Sequence, residues 1–279
     1  MRRAVPAALV VILCAVFASS AAAETVTQTA TSGQVSATFT FQTSTSAAFP
    51  YSDLALSISR AGALVYNQPV DDAQQEGCGT TCEPQSPTGH SVQVADIEGN
   101  GEPDVILHLF SGGAHCCSID QVFSYDATTN TYASTTHEWG DPGERIVDLD
   151  HNGKLEFLSA DDRFAYEFES YAFSGLPIQI WTFSAGTFTN VTGQFPAQVA
   201  KDAKQWWKDY LQNRPSSGNG AIAAWAADED TLGHRALVAK TLAQQNAKHD
   251  LRAPNSLSLP GGKRFIKALQ ALLRKTGYT

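Results

Sequence analysis

Two short acidic loops carry the clearest chemistry in this sequence. The first loop places oxygen-bearing side chains at its first, third, fifth and ninth positions, namely Asp96, Glu98, Asn100 and Asp104. Gly101 at the sixth position permits the sharp turn by which such side chains converge on a calcium ion, and the carbonyl of Glu102 at the seventh position supplies a further oxygen. The loop therefore predicts a calcium site.

The same loop recurs 52 residues further along the chain. Its corresponding side chains are Asp148, Asp150, Asn152 and Glu156. Lys154 takes the seventh position and would contribute its carbonyl oxygen. A single copy is equally compatible with an Asn-Gly hairpin turn flanked by incidental surface acids. Two copies in register inside an acidic region favour calcium at both loops.

The segments that follow each loop repeat as well. Residues 122–132 and 180–191 both alternate apolar and polar side chains around a turn, which predicts a β-hairpin in each. A strand, the acidic loop, a second strand and a hairpin make a unit of about four strands, the size of a propeller blade. Residues 34–70 are a candidate third, degenerate unit.

The duplicated segment resembles the FG-GAP or VCBS repeats of β-propeller proteins over about residues 90–192. Its loops are similar to the Asp-x-Asp-x-Asp-Gly-x-x-Asp loop of that family, and residues 110–114 read Phe-Ser-Gly-Gly-Ala. The resemblance implies calcium on both sets of loop residues and a role in extracellular recognition or adhesion, although some members are enzymes. The 172 residues from 24 to 195 are too few for the roughly four to eight blades of a closed ring. A small open or sandwich-like assembly is an equal alternative.

Charge divides the chain into two parts. Residues 24–195 hold 22 acidic and four basic residues, a net charge of −18, whereas residues 196–279 hold 13 basic and six acidic residues, a net charge of +7. Such an asymmetry predicts two domains. The acidic part is a poor partner for nucleic acid, and we expect the basic part to dock on its acidic neighbour rather than on another anionic surface.

Hydrophobic periodicity changes at the same boundary. Apolar residues alternate with polar ones at 35–41, 54–58 and 164–168, which predicts strands. From Pro196 onward they recur every three or four residues, so we expect helices from 196 and over 221–227, 231–248 and 263–275. The predicted fold is mainly β, with propeller-blade-like antiparallel repeats in an incomplete or small assembly, followed by a C-terminal α-helical domain at 196–279.

The first 23 residues have the pattern of a secretory signal peptide. Arg2 and Arg3 precede an apolar run over 7–18, and three alanines at 21–23 offer a cleavage site. No later stretch reaches the roughly 18 consecutive apolar residues that predict a transmembrane helix. We therefore expect a protein of the bacterial envelope that is secreted to the periplasm or the extracellular space.

Four cysteines follow the leader, at Cys78, Cys82, Cys116 and Cys117. An even number in a secreted chain indicates disulfides, and four cysteines allow three pairings. We favour the two pairings that join the loop at 77–83 to the turn at 112–118, because bridges between distant loops constrain the unfolded chain more. The remaining alternative pairs each cysteine with its near neighbour. Zinc or nucleophile chemistry at His115 is disfavoured, since oxidation removes the free thiols.

No recognised catalytic motif occurs in the sequence. Asp161 with Asp162, or Glu167 with Glu169, would suit the paired carboxylates of a glycosidase, but an acidic surface produces such pairs by chance. His137 stands beside Glu138 in a segment that we expect to be a loop.

The sequence therefore predicts a secreted, calcium-stabilised module that binds an unknown extracellular protein or carbohydrate. Aromatic candidates for its binding face are Tyr125, Tyr132, Trp139 and Trp181. The alternative is an extracellular hydrolase that uses carboxylates of the acidic β face, which would require a pocket holding a carboxyl group of raised pKa.

Overall fold

The computed structural model describes residues 23–45, 50–70, 82–254 and 258–278. Within these ranges three antiparallel sheets precede four α-helices, which confirms the predicted fold class. The described strands form no closed barrel or propeller. Residues 1–22 of the predicted leader and Cys78 lie outside the described residues.

Sheet one is a four-stranded meander in sequence order. Its strands are β1 (Glu24–Ser32), β2 (Val35–Thr43), β3 (Tyr51–Arg60) and β4 (Ala63–Pro69). The predicted alternation of β2 is confirmed, because Val35, Ala37, Phe39 and Phe41 are buried and the residues between them are partly exposed. Sheet one takes in most of the candidate third unit at 34–70 together with β1, and that segment lacks the acid spacing of the other two units.

Sheets two and three contain the duplicated unit. Sheet two comprises β5 (Glu83–Pro84), β6 (Val92–Ala95), β7 (Asp104–Phe110), β8 (Ser118–Asp126) and β9 (Thr131–Gly140). Sheet three comprises β10 (Arg145–Val147), β11 (Glu156–Ala160), β12 (Ile178–Ser184) and β13 (Thr187–Asn190). The first acidic loop joins β6 to β7 and the second joins β10 to β11. Both predicted hairpins are present, as β8–β9 and β12–β13.

Sheet two is buried on both faces. Leu107 and Phe123 belong to a core shared with Phe39 of sheet one. Ile106 and Val122, which point to the opposite face, share a second core with residues of sheet three. A strand covered on both faces reads as a continuous apolar run, and this accounts for the unbroken burial of β7 and β8 over most of their length.

The two acidic loops touch one another. The backbone N–H of Leu155 donates a hydrogen bond to the carbonyl of Ile97 over 2.9 Å. Gly99 has a φ of +66°, and a Cβ atom at this position would lie 2.7 Å from the carbonyl oxygen of Gly153. Only glycine therefore permits this approach of the two backbones without displacement.

The four described helices follow sheet three. They are α1 (Pro196–Asn213), α2 (Asn219–Thr231), α3 (Arg235–Ala247) and α4 (Lys263–Thr276). The prediction of one helix over 231–248 is wrong at its start, because Thr231 ends α2 and Gly233, with a φ of +82°, breaks the chain before α3. None of these helices combines the length and apolar content that crossing a membrane requires.

The predicted strand at 164–168 is also wrong. Residues Asp162–Phe164 form a short 3₁₀ helix, and Tyr166 is exposed with a φ of +62°. Phe164 and Phe168 instead insert into the core of the helices. Their alternating pattern is that of a strand, but the helical core supplies a stronger reason for their burial than sheet pairing does.

Apolar contact and hydrogen bonds join the helices to the β part. The N–H of Ile178 donates to Asp202 Oδ2 over 3.1 Å, and the Tyr278 hydroxyl donates to Asp161 Oδ2 over 3.1 Å. Every ion pair found among the described residues lies within one part or the other. The acidic β part and the basic helical part therefore form no ion pair with one another among the described residues.

Substituting Gly99 tests the contact between the loops. Gly99→Ala should destabilise the protein by about 1–3 kcal/mol from crowding against Gly153, added to about 1–2 kcal/mol for a left-handed φ. Gly101→Ala is the matched control, because it has a φ of +83° and open space around it. Chemical denaturation of both variants measures the difference, and equal losses would contradict the close approach.

Candidate functional site

Both acidic loops fold through the same hydrogen bonds. In the second loop, Asp148 accepts from the backbone N–H groups of Asn152 (3.1 Å) and Gly153 (3.0 Å), and the Asn152 side chain accepts from the N–H of Lys154 (2.8 Å). In the first loop, Asp96 likewise accepts from the backbone N–H groups of Asn100 (3.0 Å) and Gly101 (2.8 Å). The Asn100 side chain accepts from the N–H of Glu102 (2.8 Å). The sequence repeat is thus a repeat of backbone geometry.

The second loop brings three carboxylates together. Single oxygens of Asp148, Asp150 and Glu156 all lie within 4.8 Å of one another. Glu156 is only 2% exposed, and it accepts a hydrogen bond from the N–H of Leu149 over 2.9 Å. Burial raises the pKa of Glu156, and the neighbouring Asp150 and Asp148 raise it further. Asn152 lies beside them and donates from its Nδ2 to Asp150 over 3.0 Å.

The first loop differs at its third position. The Glu98 side chain reaches out of its own loop and accepts hydrogen bonds from the Ser184 hydroxyl (2.8 Å) at the end of β12 and from the Ala185 N–H (3.1 Å) in the β12–β13 turn. The extra methylene of glutamate allows this reach, which Asp150 lacks at the equivalent position. Glu102 at the seventh position forms a side-chain ion pair with Arg60 of sheet one.

Asp104 is the buried member of the first loop. Its side chain accepts a hydrogen bond from the Ser124 hydroxyl over 2.7 Å on Oδ1, while Oδ2 is buried with no hydrogen-bond partner among the described residues. Burial raises the pKa of Asp104 to about 6, and the nearby Glu98 and Asp96 add to the increase. An uncompensated buried carboxylate oxygen is costly, and a bound cation would remove that cost.

The cysteine pairing differs from the favoured prediction. Cys116 is bonded to Cys117, with Cα atoms 3.0 Å apart, so a double staple from these residues to the loop at 77–83 is wrong. Adjacency in the chain brings the two sulfur atoms together without any distant loop. Cys82 is disulfide-bonded as well. His115 stacks on the ring of Tyr171, with centroids 4.0 Å apart.

A cleft of about 890 Å³ opens between sheet three and the helices. Its polar lining includes Glu138, Asp161, Asp162, Arg163, Gln179, Asn190, Asp230 and Arg235. Its aromatic lining includes His137, Trp139, Trp181 and Tyr278. Burial lowers the pKa of His137 to about 4, so its ring is neutral at pH 7. His137 lies on strand β9 and not in the predicted loop.

The two carboxyl pairs proposed from the sequence, Asp161 with Asp162 and Glu167 with Glu169, differ in burial and in hydrogen bonding. Asp161 accepts two hydrogen bonds from the guanidinium of Arg163, over 2.7 and 2.6 Å, and a third from its backbone N–H over 3.1 Å, so both of its carboxylate oxygens have partners. Asp162 has a buried Oδ1 without a hydrogen-bond partner among the described residues, and burial raises its pKa. Glu169 is buried beside the N–H of Asn219, with a pKa raised by burial to about 7, whereas Glu167 is exposed.

The four aromatic residues that were candidates for a binding face differ in how far they are buried. Tyr132 and Trp139 are buried in the sheet cores. Tyr125 is half-buried beneath the guanidinium of Arg60, 3.9 Å from its ring centre. Trp181 alone among the four is both partly exposed and part of the cleft. The cleft residues Asp230 and Arg235 come from the helices and Tyr278 follows α4, and no local pattern in the sequence connects them to sheet three.

Curated proteins that are similar to this chain include two bacterial ones. One is a probable thylakoid lumen protein of Synechocystis sp., 30% identical over 148 residues, covering 51% of this chain and 44% of that protein. The other is an uncharacterized protein of Sinorhizobium fredii, 28% identical over 138 residues, covering 47% of this chain and 21% of that protein. The chain spans less than half the length of either relative. No family model and no solved structure matches it.

The burial of Asp104 predicts a pH dependence of stability in calcium-free buffer. Folding raises this pKa from 3.8 to about 6, so the native state binds the proton more tightly than the unfolded chain. Stability is then lost as the pH rises through that window, by about 2–3 kcal/mol for this group. Asp104→Asn should remove this loss, measured by urea unfolding from pH 3.5 to 7 in EDTA.

Asp126→Asn is the matched control for that experiment. Asp126 is exposed, and hydrogen bonds from Thr128 and Thr129 lower its pKa. The sign is therefore opposite, because the stabilisation from Asp126 is present at neutral pH and is lost as the pH falls. If Asp104→Asn followed the wild-type pH profile, the buried environment of Asp104 would be contradicted.

Proposed function

We propose that this protein is an extracytoplasmic recognition module whose β sheets are stabilised by calcium at the two acidic loops. The observation that carries the proposal is the convergence of Asp148, Asp150 and Glu156 in one loop, together with the buried, unpartnered Oδ2 of Asp104 in the other. Buried carboxylates are tolerated when they are paired or coordinate a metal ion.

The donor set suits calcium. Calcium takes six to eight oxygen ligands, and the side chains at the first, third, fifth and ninth positions of the second loop offer carboxylate and amide oxygens. Bound calcium would neutralise the clustered carboxylates and order the loop. The first loop fits less well, because Glu98 is held by the β12–β13 turn. We therefore expect the second loop to bind calcium more tightly than the first.

The FG-GAP or VCBS resemblance belongs to this proposal and rests on the same loops. Two four-stranded meanders, each with its acidic loop between the first and second strands, are what blades of that kind would supply. An extracytoplasmic location is supported by the leader-like first 23 residues and by the similarity to a probable thylakoid lumen protein.

The cleft beside sheet three is the proposed ligand site, and a carbohydrate is the ligand class that suits its lining. The partly exposed Trp181 offers a ring on which the apolar face of a sugar can pack, and His137 packs against Trp181 with ring centroids 4.7 Å apart. Gln179, Asn190 and Glu138 offer hydrogen-bonding groups for hydroxyls. Aromatic surface combined with a few convergent polar groups is typical of small-molecule sites.

Calcium should raise the thermal midpoint of the metal-free protein. At a calcium concentration ten times the dissociation constant, each site contributes about 1.4 kcal/mol, which corresponds to about 3–6 °C for a chain of this size. Asp150→Asn should abolish the share of the second loop, because it removes an exposed carboxylate from the cluster. Differential scanning calorimetry with a calcium series against EDTA measures both effects.

Asp126→Asn serves as the matched control, since Asp126 is an exposed aspartate outside both loops. Its calcium response should equal that of the wild type. An unchanged midpoint of the wild type in calcium would overturn the calcium proposal. If Asp150→Asn showed the same calcium-dependent rise of the thermal midpoint as the wild type, the second loop would not be a calcium site.

Hydrolysis at the same cleft is the second candidate function. Asp162 favours it, because a carboxyl group with a raised pKa and a buried, unpartnered oxygen is suited to general acid catalysis. If the cleft is hydrolytic, Asp162→Asn should retain polysaccharide binding but lower the release of reducing ends by at least about 100-fold. Binding without any release by the wild type would leave recognition as the function of the cleft.

A further inference from the structure

His108, Asp120 and Glu144 form a compact cluster outside both acidic loops, and none of them lines the cleft beside sheet three. His108 Nδ1 lies 2.6 Å from Asp120 Oδ1 and 3.3 Å from Glu144 Oε1. The His108 side chain is 13% exposed, that of Asp120 is 0% exposed and that of Glu144 is 6% exposed. Their ligand-type atoms all lie within 4.8 Å of one another, so imidazole nitrogen and carboxylate oxygens converge on one point.

The sheets hold this cluster in place. His108 on β7 and Asp120 on β8 are directly paired across the strands, so both side chains project from the same face of sheet two. Trp139 on β9 donates from its indole nitrogen to Asp120 Oδ2 over 3.0 Å, which fixes the orientation of that carboxylate. Outer hydrogen bonds of this kind are typical of metal ligands. Glu144 enters from the segment that leads into sheet three.

One carboxylate oxygen of the cluster has no partner. Glu144 Oε2 is buried and makes no hydrogen bond with any described residue. Glu144 and His108 also line a cleft of about 410 Å³, whose mouth carries the exposed His90. The cluster is therefore buried on its protein side and reachable from solvent on the other, as a metal site with open positions for water requires.

A proton alone satisfies this cluster poorly. The Nδ1 atom of His108 carries one hydrogen at most, yet two carboxylates approach it. A hydrogen on Nδ1 can serve the Asp120 oxygen at 2.6 Å or the Glu144 oxygen at 3.3 Å, but it cannot serve both well, and Glu144 Oε2 has no partner among the described residues in either case. A divalent cation with neutral histidine and two carboxylates would bring the net charge to zero.

We propose that His108, Asp120 and Glu144 bind one divalent first-row transition metal ion, for which zinc is the probe. A mixed imidazole and carboxylate set is suited to such ions and not to calcium, which takes oxygen ligands. Zinc lies about 2.0–2.2 Å from nitrogen and oxygen ligands, so ligand atoms separate by no more than about 4.4 Å. Binding would widen the 2.6 Å separation of His108 Nδ1 and Asp120 Oδ1, and it would bring the remaining separations, which are within 4.8 Å, into this range. The bound ion would tie sheet two to the start of sheet three.

The test is calorimetric titration of the metal-free wild-type protein with zinc chloride in excess calcium, which keeps zinc from the acidic loops. One zinc per chain is expected. Glu144→Gln keeps the side-chain volume and removes one ligand charge, so it should weaken zinc binding by more than about 100-fold, since even outer-shell changes cost 10–100-fold. Titration with cobalt should give visible absorption bands in the wild type that the variant lacks.

Glu167→Gln is the matched control, because it makes the same chemical change at an exposed glutamate outside the cluster. His90→Ala tests whether zinc is held only at the exposed histidine. No zinc binding by the wild type, or full binding by Glu144→Gln, would overturn the proposal. Should Glu144→Gln fail to fold, sequence-assigned NMR of the wild type decides, because zinc must shift the ring signals of His108.

Discussion

The contact between the two acidic loops is the constraint on which the arrangement of the sheets depends. It joins the same point of two successive four-stranded units, through the hydrogen bond from Leu155 to Ile97 and the close approach at Gly99. Ile97 is itself buried in the core between sheets two and three. Separating the loops would therefore expose the apolar side chain of Ile97.

Sheet two lies between sheets one and three and packs against both. Both of its faces are covered by other sheets, so its strands carry apolar residues toward each neighbour, and its few polar side chains are buried with them. Asp104 and Asp120 are such residues: one oxygen of Asp104 has no hydrogen-bond partner among the described residues, whereas Asp120 is held by His108 and Trp139. Longer acids then reach the next sheet: Glu98 contacts the turn of sheet three, and Glu144 meets His108. Polar bridges connect sheets that do not close into a ring.

The repeat could be predicted because its evidence is local. Acid spacing, the turn glycine and the following hairpin are fixed within a few residues of one another, so pattern and structure coincide. Phe164 and Phe168 were mistaken for strand residues because alternate spacing does not reveal that their burial comes from helices far along the chain. The cleft was missed for the same reason, since Asp230 and Tyr278 meet sheet three only through tertiary packing. His108 and Asp120 pair by strand register, which the sequence does not specify.

The distribution of charge gives the loops their physical importance. The β part carries a net charge of −18, and opposite charge on the helical part does not offset it through ion pairs among the described residues. Backbone N–H groups donate hydrogen bonds to the carboxylates of Asp96 and Asp148 and so stabilise their charge. The raised pKa of Asp104 indicates that this carboxyl group is instead favoured in its protonated, neutral form. Neutralisation by protons fails as the pH approaches 7. The calcium ions that we propose would supply positive charge to these carboxylates at neutral pH, at the point where the two units join.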